Sequence, residues 1–469
     1  MTLLLWLSGC AVTTMMTQGR SLPTLGGEVE AAGLAGKVTV TRDEHGVPHI
    51  RAGSEADAAY AVGYVHAQDR LFQMDMARRL AYGRLSELLG EDYVQLDTFM
   101  QALQLEQRAA EAVKAMDPDT RFALAAYAQG VNAGREAAKS PTLEHRLLKE
   151  DRVGEWKPTD SMALVYLNSW WLATSIQTEL FAWTWRSELD RDDLTALLRS
   201  HSADPEVDPY WNTLRKARTG DLSGAAQAFF GSMSGYKNPG NSNNWVVSGE
   251  RSLDGKPIVA NDPHLLRQVP APWYLVDYKG GDTHAAGATI AGLPWVVVGH
   301  NDGLAWGATN VMADYVDLAV VERDGTMDYI LAGQKKTLEE RRVEVGVKDL
   351  EDPVGGSVYW TEIGPVISEL SGSHLLVLRW NVLETTDLSA GYLHGLNRAQ
   401  TVEQALALGG EGTTTSLNIV MGDTEGHIAW KATGALPRRS SHSGRVPYPA
   451  SSEHHGWDGW LEGLPSEVD

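Results

Sequence analysis

Two hydrophobic rhythms divide this chain, and the order in which they occur limits its fold class. Up to about residue 200, apolar residues recur at helical spacing, as in Ala58, Ala61, Val62 and Val65. Ser54 stands ahead of that run as an N-cap, with Asp57 as the carboxylate of a capping box. Helical stretches are expected over 55–89, closed by Gly90, and over 105–140 and 159–200. Ahead of them, Val38-Thr39-Val40-Thr41-Arg42-Asp43 alternates with period two, and His45-Gly46-Val47-Pro48-His49-Ile50 turns into a second strand. From residue 244 the pattern becomes β: Trp245–Ser248, Pro257–Ala260, Trp295–Gly299 and Leu304–Gly307. Leu417–Gly422 and His427–Trp430 form a hairpin turning at Asp423-Thr424-Glu425-Gly426. Helices followed by strands, without alternation, predict an α+β fold.

The division along the chain follows from composition. Residues 201–241 are rich in Ser, Gly, Asp and Lys and read as a spacer between a helical region at 37–200 and a β region at 242–469. Residues 1–36 read as a signal and tether. Leu7-Ser8-Gly9-Cys10 has the form of a bacterial lipobox, and Cys10 is the only Cys in the sequence. Export is the expectation, either to the periplasm or to the outer membrane, anchored there through lipidated Cys10. A single Cys excludes a disulfide framework and a multi-cysteine zinc site. A formal charge of −21 argues against a nucleic-acid partner, which needs clustered positive charge. No apolar run reaches the ~18 residues of a membrane span.

Standard hydrolase signatures are missing. Gly231-Ser232-Met233-Ser234-Gly235 has Met where a nucleophile elbow needs Ser, and there is no H-E-x-x-H, P-loop or dinucleotide fingerprint. Attention falls on Pro239-Gly240-Asn241-Ser242-Asn243-Asn244-Trp245, where a polar linker ends and a strand begins just after a Ser. Asn261-Asp262-Pro263-His264-Leu265 follows, with His264 22 residues beyond Ser242. Gly299-His300-Asn301 and Leu304 to Asn310 come next, then Asp314-Tyr315-Val316-Asp317.

With Arg42-Asp43, Gly46 to Ile50, His66-Ala67-Gln68-Asp69-Arg70-Leu71 and Gly83-Arg84-Leu85-Ser86-Glu87, these segments resemble, in order, the penicillin acylase family of N-terminal nucleophile hydrolases. The resemblance implies a four-layer αββα sandwich. It also implies a precursor cut before Ser242 into α and β chains that remain a heterodimer, acting on a small-molecule amide. Ser242 matches the nucleophile. The logic is chemical: a Ser hydroxyl is a poor nucleophile until a base takes its proton. A free α-amine, with a pKa of roughly 7.7–8.0, is such a base near neutral pH. His264 matches a residue that hydrogen-bonds near the nucleophile, and Asn310 matches a backbone N–H donor to the oxyanion. Glu179, Asp314, the Val316 carbonyl and Asp317 match a structural calcium site. Trp170-Trp171, Leu265 and Ala308 match acyl-pocket positions.

Asn241 departs from the small residue usual before the nucleophile, which leaves the rate of processing open. No counterpart of the family's oxyanion-hole Asn precedes Asp469, so the resemblance implies that the family's β chain continues further and that these 469 residues alone are inactive. The expected function is an acylase for linear amides, such as a β-lactam antibiotic or an N-acyl amine. Acyl-homoserine-lactone acylase and an unprocessed binding scaffold are the alternatives.

Overall fold

The computed structural model describes residues 22–138, 140–150, 153–185, 224–233, 242–265, 268–367, 373–439, 442, 444–451 and 456–468, with single positions between 188 and 196. Cys10 and residues 201–223 and 234–241 of the expected spacer, Asn241 among them, lie outside them.

Helix α1 (Glu55–Tyr82) begins where the sequence places it: Ser54, with extended backbone, accepts the Asp57 N–H on its hydroxyl. The Asp57 carboxylate accepts the Ala35 N–H at 2.8 Å, so it ties down the amino-terminal segment and does not complete a capping box. The helix expected to run to residue 89 ends at Gly83, in a left-handed conformation at φ 64°. The reason is a crossing: a Cβ on Gly83 would overlap the Asp97 carbonyl on α2 (Val94–Leu103). Ser86–Leu89 then forms a separate short helix that ends at Gly90. The single helix expected over 105–140 is two, α3 (Leu105–Ala115) and α4 (Pro118–Ala137). Asp117 caps the second through the Thr120 N–H, and Pro118 occupies its first turn, where a missing N–H costs nothing. Helices α5 (Pro158–Leu172) and α6 (Ile176–Thr184) cover the described part of the third stretch. Helix α7 (Gly224–Met233), within the expected spacer, buries Phe229 against Phe99 and Trp170.

The strands are β1 (Thr39–Arg42), β2 (Pro48–Ala52), β3 (Asn243–Val247), β4 (Ile258–Asp262), β5 (Trp273–Gly280), β6 (Thr283–Ile290), β7 (Val298–His300) and β8 (Leu304–Asn310). After these come β9 (Val316–Arg323), β10 (His374–Trp380), β11 (Leu417–Asp423), β12 (Ile428–Ala432), β13 (Pro437–Arg439), β14 (Trp457–Trp460) and β15 (Ser466–Val468), with shorter strands between 328 and 365. Nine of them form the main sheet in the order β1-β2-β5-β6-β7-β8-β11-β12-β15. Its pairs are antiparallel except β2 with β5, where the amino-terminal hairpin joins in parallel. The expected hairpin at 417–430 is present, with Gly422 opposite Ile428.

Helices α1 and α4 cover one face of this sheet. Val62, Val65 and Met74 pack with Val276, Tyr278, Trp306 and Met421 in one core. A second core joins α2, α3, α5 and α6 to β9 and β10 through Leu318, Val320, Leu376 and Trp380. Trp306, Ala308 and Met421 face the helix-side core, while the intervening Gly307 and Gly422 meet Asn261 and Val259 of the β3–β4 hairpin. The hairpin therefore lies on the opposite face of the sheet. Helices, main sheet and hairpin follow one another as the first three layers of the expected αββα order, and the α+β class is the one observed.

Candidate active site

Ser242 immediately precedes β3. The β3–β4 register sets Asn243 opposite Asp262, which brings His264 alongside Ser242. The Ser242 hydroxyl oxygen accepts the main-chain N–H of His264 at 3.0 Å. The His264 ring does not reach the hydroxyl; its Nε2 lies 2.6 Å from Asp262 Oδ2, and the side chain is 42% exposed. It is thus the backbone of the sequence-selected His264 that touches the candidate nucleophile.

Ser242 opens into a cavity of about 330 Å³, whose wall includes His264, Leu265, Ala308, Asn310 and Trp171. Asn310 ends β8. Its side-chain amide donates to the Leu172 carbonyl at 2.9 Å and accepts the Met312 N–H at 2.9 Å. With the side chain committed to fixing the strand end, the group left for chemistry is the main chain. The Trp pair divides: Trp171 lines the cavity, while Trp170 is buried against Phe229 and Trp380. The cavity wall contains no Lys, Arg, Asp or Glu among the described residues.

An asparagine ladder, to which the sequence reading assigned no role, fastens the hairpin to the sheet. β7 pairs with β8 only at Ala305 and Trp306. Two residues on, the Asn261 amide donates to the Ala308 carbonyl at 3.1 Å and accepts the Ala308 N–H at 3.2 Å, as a neighbouring strand would. Asn244 donates to the carbonyls of Gly307 and Asn418, and Asn418 donates back to the Asn244 side chain at 2.8 Å. Asn244 and Asn261 stood inside the quoted motifs, but nothing in one sequence pairs them with residues 307, 308 and 418.

A second cluster is brought together by α6 and the entry to β9. Oxygen atoms of Glu179, Asp314 and Asp317 lie within 4.8 Å of one another and could hold a metal ion. Burial, and then the charges of Asp317 and Asp314, push the Glu179 carboxyl well above the usual range. Burial and the charge of Asp317 push Asp314 up to about 7. Burial would raise Asp317 too, but the Arg439 guanidinium outweighs it and holds this carboxyl low. Val316 is buried at the first position of β9, and the Leu318 N–H binds one oxygen of Glu179 at 3.0 Å. Glu179 Oε1 and Asp314 Oδ1 are buried with no hydrogen-bond partner, which suits a cation. Asp317 does not fit in the same way. Its oxygens accept from Arg439 at 2.8 and 2.9 Å and from the Trp457 indole at 2.5 Å. Arg439 and Trp457 were missed by the sequence reading; an Arg after Pro437-Arg438 reads as an exposed charge.

A sequence profile described as penicillin amidase matches residues 37–469. Acyl-homoserine lactone acylase QuiP of Pseudomonas aeruginosa is 33% identical over 99% of this chain and 57% of its own length. Penicillin acylase 2 proenzyme of Pseudomonas sp. strain SE83 is 32% identical over 96% of this chain and 59% of its own. The chain thus spans little more than half the length of these relatives. Among solved structures, a thermostable penicillin G acylase from Alcaligenes faecalis aligns with 49% of this chain and 42% of its own, at 22% identity and a TM-score of 0.45.

Proposed function

The chain belongs to the penicillin amidase family, and from that premise we propose that it supplies the nucleophile and acyl pocket of an amide hydrolase, with Ser242 as the attacking residue once the Asn241–Ser242 bond is cut. The observation that carries this is the placement of the Ser242 hydroxyl at an apolar cavity, accepting the His264 N–H. Because Oγ accepts that bond, its own proton is free to pass to an adjacent α-amine. Oγ then attacks the amide carbonyl, and the amine takes the hydroxyl proton and passes it to the leaving nitrogen. Water, deprotonated by the same amine, hydrolyses the acyl-serine ester. The Asn310 main-chain N–H would donate to the tetrahedral oxyanion, a contribution of about 3 kcal/mol for one such donor. Amino-terminal sequencing and intact-mass analysis of the purified protein test the scheme. A chain beginning Ser-Asn-Asn-Trp is expected from wild type and none from Ser242→Ala; wild type that stays uncut, or a cut that survives in the variant, overturns it.

A wall without Lys or Arg among its described residues favours aliphatic or aromatic acyl groups over dicarboxylic ones, because a buried carboxylate needs a cationic partner. An acyl-homoserine lactone is a second reading consistent with that wall, and side-by-side turnover of an acyl-homoserine lactone and a β-lactam amide separates the two. At the acidic cluster, calcium is the metal that all-oxygen donors suit. Glu179, Asp314 and the Val316 carbonyl would hold it, and the ion would neutralise buried carboxylates between α6 and β9. We also read Cys10 as a lipid anchor of an exported protein. Radiolabelled palmitate should enter wild type and not Cys10→Ser, and equal labelling would sink that reading.

A further inference from the structure

We infer that Arg439 is a resident counter-cation of the acidic cluster, holding α6, β9 and the β13–β14 strand pair together without metal and competing with any divalent ion for Asp317. The inference rests on the reading of that cluster as a metal site and adds what this chain does there.

Arg439 and Trp457 are register partners across the antiparallel pair β13 and β14, so that pair presents a guanidinium and an indole N–H to Asp317 side by side. The guanidinium grips Asp317 through both Nε and Nη2, in the forked geometry that Lys could not reproduce. The same Nη2 donates to the Asp314 carbonyl at 3.0 Å and stands 3.4 Å from Asp314 Oδ2. The next turn closes over the pair. Gly444, at φ 74°, leaves no room for a Cβ beside Asp314 and Arg439. The His442 ring, stacked on Tyr448, brings Nε2 to 3.7 Å from Asp317.

Calcium requires six to eight oxygens, several of them carboxylate. Here both oxygens of Asp317 are committed to Arg439, and an ion bound by all three carboxylates would stand beside a buried guanidinium of like charge. Glu179 Oε1 and Asp314 Oδ1 are buried carboxylate oxygens without partners, one on each side of the joint. Metal and guanidinium are therefore alternatives at Asp317: a full carboxylate set forms only when Arg439 lets go.

The test is terbium titration of the purified protein, with emission sensitised by Trp457, alongside thermal melts with and without chelator. Wild type should bind terbium weakly and melt at the same temperature, to within about 1 °C, with and without chelator. Arg439→Gln should melt lower without metal, bind terbium at least about tenfold more tightly than wild type, and recover stability with calcium. If Arg439→Gln fails to fold, Arg439→Lys, which keeps the charge but loses the fork, should show the same changes at smaller size. Equal terbium affinity in wild type and variant would overturn the competition alone. No terbium binding by either, with a lower melting temperature in the variant, would overturn the metal reading of the cluster and the competition with it. A fall of more than about 3 °C on chelation of wild type would show that metal, not Arg439, holds the joint.

Discussion

His66 is completely buried on α1, between the Tyr127 hydroxyl and Thr289. Thr289 spends its proton on the Tyr274 carbonyl, so its oxygen must accept from His66 Nε2–H, while the Tyr127 hydroxyl donates to Nδ1. The ring is thereby held neutral, and burial, aided by the charge of Arg70, lowers its pKa from 6.5 to about 3. The sign follows. The unfolded chain takes up this proton first, so the stabilisation is complete above 6.5 and drains away as pH falls towards 3, by at most about 1.4 kcal/mol per pH unit. Urea melts across that range should show a shallower acid limb in His66→Gln, whose amide can serve both partners without titrating; an unchanged limb would place the proton uptake elsewhere. The Asn261 side chain stands in for a neighbouring strand at Ala308. Asn261→Ala strips the Ala308 N–H and carbonyl of partners and should cost about 1–3 kcal/mol in chemical denaturation. Because Asn310 lies two residues along the same strand, turnover by the processed enzyme should fall more than KM rises. A loss confined to KM would count against this positioning.

At the scale of elements, α1 and α4 come into backbone contact. A Cβ on Gly63 would overlap the Tyr127 carbonyl, and one on Gly130 the Tyr60 carbonyl, so the two helices meet backbone to backbone. Gly130→Ala gains helix propensity yet must push the pair apart, and a loss of about 1–3 kcal/mol is expected in urea unfolding. A neutral or stabilised variant would mean that the helices can part freely. These helices also show what one sequence makes legible. Ser54 and the Asp423–Gly426 turn were readable because the chemistry that sets them lies within a few residues. The break at Gly83 was not, because its cause is a carbonyl on another helix, and Asp117-Pro118 was passed over although its capping signal is local. The site divides the same way. Ser242, His264 and the acidic residues stand out as motifs, whereas Arg439 reaches Asp317 across 122 residues and no spacing announces it.

The whole molecule is built across its proposed point of cleavage. β1 and β2 come from the segment before Ser242, yet they pair into the same sheet as β5, with His49 Nδ1 2.7 Å from Asp277. Glu55 and His394 add a bond of 2.8 Å between the two segments, and the main hydrophobic cores draw on both. After cleavage, the two chains should therefore coelute in gel filtration even at molar salt, separating only in denaturant; separation by salt alone would mean that surface charge holds them. The parallel β2–β5 pairing also has a temporal consequence. It joins residues 228 positions apart, a closure that comes late in folding and only after β5 has been made. A cut made earlier would turn this closure from an intramolecular search into an encounter between two dilute molecules, each with an unpaired strand open to the wrong neighbour. On the proposed scheme the peptide bond before Ser242 would be a temporary leash, and natural selection on this architecture should favour sequences that break it slowly.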